Sequence, residues 1–122
     1  WTYNQEISGY GVGGVEEGIK NSLLHMRKLH KLLEENEIKL SVAVYPWPGQ
    51  LLHDQENSLQ VKIWKKFCEN RCSQFINYFP VFFDFLKNQS KMQVIEKFYI
   101  PGDVHFNEDG NQLIADFFVK NF

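Results

Sequence analysis

The chain has 122 residues, 43% hydrophobic and 23% charged, with 13 Lys and Arg against 15 Asp and Glu. This length and composition fit one domain or part of one and exclude global disorder, collagen and a disulfide scaffold. A net charge of −2 lacks the basic footprint that nucleic acid or an anionic membrane requires.

Aromatic residues stand out at 16%, with 11 Phe. The chain begins at Trp1 and its methionines are Met26 and Met92, so it is expected to be a piece of a longer product. No targeting segment is in view, and localisation is not legible.

Residues 1–14 are rich in glycine and aromatics and read as a loop leading into a helix. The glycines do not make a phosphate-binding turn, because no strand precedes them and no Walker Lys or Ser follows. From Val15 the apolar residues Ile19, Leu23, Met26, Leu29 and Leu33 recur at helical steps. His25 and His30 lie on this helix at a spacing unsuited to a metal pair and read as surface or boundary residues.

After Asn36 the period becomes two, and residues 38–45 read as an interior parallel strand. Pro46, Trp47, Pro48 and Gly49 stop it. A second helix starts near Asn57 or Ser58, with Leu59, Ile63, Trp64, Phe67 and Cys68 on one stripe. Cys68 reads as a buried small hydrophobe and Cys72 as a helix-end residue; a disulfide between them is the less favoured alternative. No second ligand pair accompanies them, so no zinc site is expected.

A short strand at 74–79 follows, then a helical turn at 81–86 and a short helix at 91–97. The apolar run 79–86 is interrupted by Asp84 and far too short to span a membrane. The last helix, 107–120, is capped by Asn107, carries Glu108 and Asp109 in its first turn, and buries Leu113, Ile114, Phe117 and Phe118. Helices alternating with strands predict an α/β fold with a parallel sheet, whose remaining strands lie outside these residues.

In such sheets ligands bind beyond the carboxyl ends of the strands. Two segments fall there: Trp47 with its flanking prolines, and residues 101–107 with Asp103 and His105. A catalytic His needs a carboxylate on Nδ1, and Asp103 is placed to supply one. From spacing alone, the two residues either serve chemistry or satisfy loop backbone groups. Trp47 and Phe106 are candidate substrate-lining residues, with a core-covering role as the alternative for Trp47.

His105, Asn107, Asp109, Gly110 and Asp116 follow the spacing of a calcium loop, but His stands where Asp is needed and Asp where Glu is needed. No metal and no cofactor are expected.

The stretch Pro101 to Phe118 resembles the C-terminal block of SGNH (GDSL-type) serine hydrolases, and Leu40 to Leu51 resembles the strand and loop upstream of it. The resemblance implies a flavodoxin-like three-layer fold and hydrolysis or transfer of acyl groups. Asp103 and His105 are then the acid and base of a Ser-His-Asp triad. A small-molecule or carbohydrate ester is the implied substrate.

The sequence departs from the family in two ways. Asp103 precedes His105 by two residues where three is commoner, a spacing seen in members that handle acetyl groups on polysaccharides. No Gly-Asp-Ser is present, and Ser8, Ser22, Ser41, Ser58, Ser73 and Ser90 all lack that context. The nucleophile and oxyanion residues are therefore expected upstream of Trp1, and residues 1–122 alone should be inactive. The alternative is a carbohydrate- or protein-binding module of the same fold without a nucleophile. An unpaired strand edge and the surplus of aromatics are expected to favour self-association of the isolated piece.

Overall fold

The computed structural model describes residues 1–7, 9 and 11–122. Among these residues the chain is a mixed α/β structure of six helices and a two-stranded parallel sheet. It divides into two compact units, Trp1–Ala43 with Ser58–Ile76, and Val44–Asn57 with Asn77–Phe122.

The first unit opens with the long helix α1, Gly14–Glu35. Glu16 and Glu17 sit in its first turn, where the exposed N–H groups favour negative charge. Val15 is buried, while Ile19, Leu23, Met26, His30 and Leu33 are half-buried. This stripe departs from the expected one at Leu29, which is 40% exposed, while His30 is the boundary residue expected.

Strand β1 is Ser41–Val44 and β2 is Gln74–Asn77. Ser73 N–H donates to Leu40 O at 2.7 Å and Tyr78 N–H donates to Val44 O at 2.9 Å, so the two strands ascend together. The strand expected at 38–45 is thus shorter. Among the described residues β2 is its single partner. Ile38, 56% exposed, lies before the ladder and donates its N–H to Leu33 O at 2.9 Å.

Helix α3, Leu59–Cys68, begins at the buried Ser58, whose side chain accepts from Val61 N–H at 3.3 Å. Val61, Phe67 and Cys68 are its buried residues. Cys68 and Cys72 form a disulfide, against the favoured expectation of free thiols. The helix ends at Cys68, and the N–H groups of Arg71 and Cys72 both donate to its carbonyl at 3.1 Å. That turn brings the two Cα atoms to 4.6 Å, within bonding range.

The second unit contains α2 (Pro48–His53), α4 (Phe79–Phe85), α5 (Lys91–Phe98) and α6 (Glu108–Asn121). Helix α2 lies where a bare strand stop was expected. Pro48 is at its first position, where the missing N–H costs nothing. The buried Gln50 accepts from Trp47 N–H at 2.9 Å. Ser90 and Gln93 form a reciprocal cap at the start of α5, through Gln93 N–H to Ser90 Oγ at 3.3 Å and Ser90 N–H to Gln93 Oε1 at 2.8 Å.

The core of this unit is aromatic. Phe82 is fully buried and its ring meets Phe98 at 5.6 Å, Phe106 at 5.3 Å and Tyr99 at 5.9 Å between centroids. Helix α5 packs against both α2 and α6. Leu113, Ile114 and Phe117 are half-buried, but Phe118 departs from the expected buried face at 44% exposure and stacks on Phe122. Among the described residues no helix is long and apolar enough to cross a membrane.

Gly110 is the buried residue of α6, and a side chain there has no room. A Cβ would run into the carbonyl oxygen of Phe98 and come within 3.0 Å of the Phe106 ring and its Cβ. Gly110→Ala is therefore expected to lower stability by about 1–3 kcal/mol, the usual cost of overpacking. Chemical denaturation of the variant checks this; unchanged stability would mean that α6 docks less tightly than described.

Candidate functional site

The site is built on a hairpin between α5 and α6. Pro101 and Gly102 occupy the middle of a four-residue turn, closed by Asp103 N–H donating to Ile100 O at 3.0 Å. Gly102 has a φ of 76°, the left-handed region that the third residue of a type II turn needs and glycine reaches without cost. Ile100 N–H then donates to His105 O at 3.0 Å, and Tyr99 pairs with Phe106 in an antiparallel bridge. One rung further on, Asn107 N–H donates to Phe98 O at 3.1 Å.

This frame brings Asp103 and His105 together. Nδ1 of His105 lies 2.7 Å from Oδ1 of Asp103. A carboxylate accepts only, so the ring donates through Nδ1–H and carries its lone pair on Nε2 when neutral. The same Oδ1 accepts from the backbone N–H groups of Val104 at 2.6 Å and His105 at 3.3 Å. Asp103 thereby shapes the loop and orients the ring with one oxygen. The His105 side chain is 76% exposed and that of Asp103 45%. The Asp103 pKa is held below the usual carboxylate value, chiefly by the hydrogen bond from the His105 ring and then by the two backbone N–H groups.

The other two expected site residues differ from each other. Trp47 is 50% exposed and sits directly before α2, following the buried Pro46. Phe106 is half-buried, with its ring 4.9 Å from Tyr99, 5.1 Å from Tyr45 and 5.3 Å from Phe82 between centroids. Its surface is largely spent on packing under the hairpin.

Two residues that sequence reasoning had not placed in the site link these parts. The buried Tyr99 donates its hydroxyl to the carbonyl of Pro46 at 2.6 Å, joining the hairpin to the segment that carries Trp47. Burial, and then the nearby Tyr45, raise its pKa well above the ordinary phenol value, so it stays protonated and donates. Asn107 does more than cap α6. Its Oδ1 accepts from Gly110 N–H at 3.0 Å, while Nδ2 donates to Lys97 O at 2.9 Å and Tyr99 O at 3.3 Å.

The serines are placed as structural groups. Ser41 Oγ and Ser73 Oγ share a hydrogen bond of 2.9 Å, while Ser58 and Ser90 cap helices. Ser22 is exposed on α1, and Ser8 lies outside the described residues. In the unit that holds Asp103 and His105, Ser90 is the only serine, and its Oγ already accepts from Gln93 N–H. Among the described residues, no group of three or more His, Cys, Asp or Glu side chains is placed to hold a metal ion.

No protein-family model, no curated protein and no solved structure matches the chain.

The depressed Asp103 pKa has a defined consequence for pH. Its folded value lies below the unfolded one near 3.9, so the ionised form favours the ordered loop. That contribution is present above the unfolded value and is lost as pH falls through the folded one. Carbon-13 NMR of the Asp103 carboxyl should show a midpoint below the ordinary Asp value, and His105→Ala should move it back upward. A normal midpoint in the unaltered chain would contradict the hydrogen bond.

Proposed function

We propose that residues 1–122 are the C-terminal part of an SGNH-type serine ester hydrolase or O-acetyl transfer enzyme of flavodoxin-like fold. Asp103 and His105 are the acid and base of its Ser-His-Asp triad. The observation that carries this reading is the 2.7 Å contact between His105 Nδ1 and Asp103 Oδ1, on a tight loop with the imidazole exposed. The resemblance of residues 101–118 to the family's C-terminal block supports the same assignment.

In the proposed reaction a serine outside this unit attacks the ester carbonyl, and its hydroxyl proton passes to His105 Nε2. As the tetrahedral intermediate collapses, the bond to the alkoxy group breaks and the leaving alcohol takes that proton. Water, or an acceptor alcohol in the transfer reaction, then repeats the sequence on the acyl-enzyme. Asp103 stays ionised throughout and keeps the proton of neutral His105 on Nδ1, which leaves Nε2 free to act. The low Asp103 pKa fits that role. The substrate is a small-molecule or carbohydrate ester, and the two-residue Asp–His spacing inclines the reading towards acetyl esters of polysaccharides. Exposed Trp47, tied to the hairpin through Pro46 and Tyr99, is the residue proposed to stack on a sugar ring.

A binding module of the same fold is the second reading, favoured by the lack of Gly-Asp-Ser in residues 1–122. Ester turnover by the full-length protein separates the two. His105→Ala should remove nearly all of it while changing stability by no more than about 0.5 kcal/mol, as expected for an exposed side chain. Asp103→Asn should lower kcat about ten-thousandfold, the loss that the wrong His tautomer causes in a comparable triad. Full turnover by the His105→Ala variant rejects the hydrolase reading; no ester turnover in the unaltered protein favours the module.

A further inference from the structure

The Asp103–His105 pair stands on a hairpin tip whose own hydrogen bonds are nearly all internal. Asp103 N–H to Ile100 O, Ile100 N–H to His105 O and the three bonds to Asp103 Oδ1 fix the tip's shape. None of them fixes where the tip points. Its two stems are Tyr99 and Phe106: Tyr99 is tied through its hydroxyl to Pro46 O and through its N–H to Ile95 O, while the Phe106 side is held by ring packing that tolerates sliding and rotation. Polar bonds to carbonyls impose a register that ring contacts do not.

We infer that Asn107 is the positioning residue of the pair, acting through the two carbonyls that its side-chain amide holds rather than through the helix it caps; this rests on the reading of Asp103 and His105 as triad members. The geometry makes the amide a three-way junction. Nδ2 holds Tyr99 O, the carbonyl immediately before the turn, and Lys97 O, near the end of α5. Oδ1 accepts from Gly110 N–H in the first turn of α6, which allows only one orientation of the amide. The backbone N–H of Asn107 adds the rung to Phe98 O. Gly110, against the Phe98 carbonyl and the Phe106 ring, leaves that first turn no room to shift. The hairpin stem is thus locked to both helices by one side chain two residues beyond His105. Catalytic geometry is sensitive at this scale, since a displacement of about 1 Å can cost on the order of a hundredfold in rate.

The test separates the capping role from the positioning role. Asn107→Ser keeps a side-chain acceptor for Gly110 N–H, and serine is as good a cap as asparagine. It removes both Nδ2 donors. Asn107→Asp also keeps the acceptor and sets a carboxylate oxygen against the carbonyls of Lys97 and Tyr99. In the full-length protein, both variants should unfold cooperatively yet lose on the order of a hundredfold in kcat with KM little changed. Nitrogen-15 NMR of the His105 ring should keep the Nδ1–H tautomer, because the bond to Asp103 lies within the tip, while hydrogen exchange at the backbone N–H of residue 107, the stem rung to Phe98 O, should accelerate. Unchanged exchange and kcat in both variants overturn the proposal, as does failure of both to fold, which would make Asn107 a folding residue. If the unaltered protein turns over no ester, the exchange still decides: faster exchange with the tautomer kept supports the positioning role while the hydrolase reading alone fails.

Discussion

The hydroxyl of Tyr99 on the carbonyl of Pro46 is the constraint from which the candidate site hangs. Pro46 follows the end of β1 and is fully buried, so its carbonyl must find a donor inside the protein. Tyr99 supplies it from the first residue of the hairpin bridge. The residue after Pro46 is Trp47, and the residue after Tyr99 opens the loop of Asp103 and His105. A single buried bond therefore fixes the spacing between the segment that carries Trp47 and the loop of Asp103 and His105. In energy the bond is modest, about 1 kcal/mol net. The rings of Phe82 and Phe106 packed on Tyr99 contribute more, since each aromatic pair adds about 0.5–1.5 kcal/mol beyond the apolar area it buries. Packing holds this unit together, and the hydrogen bond sets its register.

The Asp103–His105 contact has the opposite balance. Both side chains are substantially exposed, and exposed ion pairs stabilise proteins little. Its value is orientation. One carboxylate oxygen collects two backbone N–H groups and the imidazole, so the loop's shape and the ring's direction are set by the same atom. The tip gains a fixed form without burial, and the imidazole remains open to solvent.

Much of this was legible in the sequence because local chemistry decided it. Ser58, Ser90 and Asn107 precede apolar residues at helical spacing, and each caps a helix. Asp103 and His105, two residues apart after Pro-Gly, were close enough that a turn alone unites them. The failures arose where tertiary partners decide. Alternation from Ile38 to Val44 describes extended backbone, but only a neighbouring strand makes it a ladder, and β2 reaches just four residues. Pro46 and Pro48 read as a stop, yet proline at the first helical position and Gln50 behind it also start a helix. Cys72 was placed at a helix end, whereas α3 stops at Cys68 and the chain turns back. The cap at Asn107 was visible; its grip on the carbonyls of Lys97 and Tyr99 was not, because α5 had first to dock beside α6.

On the proposed function, His105, oriented by Asp103, acts on a serine supplied from elsewhere in the full-length protein. The most direct measurement is the structure of that protein after reaction with a fluorophosphonate, which traps an activated serine as a stable phosphoryl ester. The proposed function predicts a modified serine whose Oγ lies within hydrogen-bond reach of His105 Nε2, about 2.6–3.2 Å. An unreactive protein, or a modified serine out of reach of His105, would contradict it.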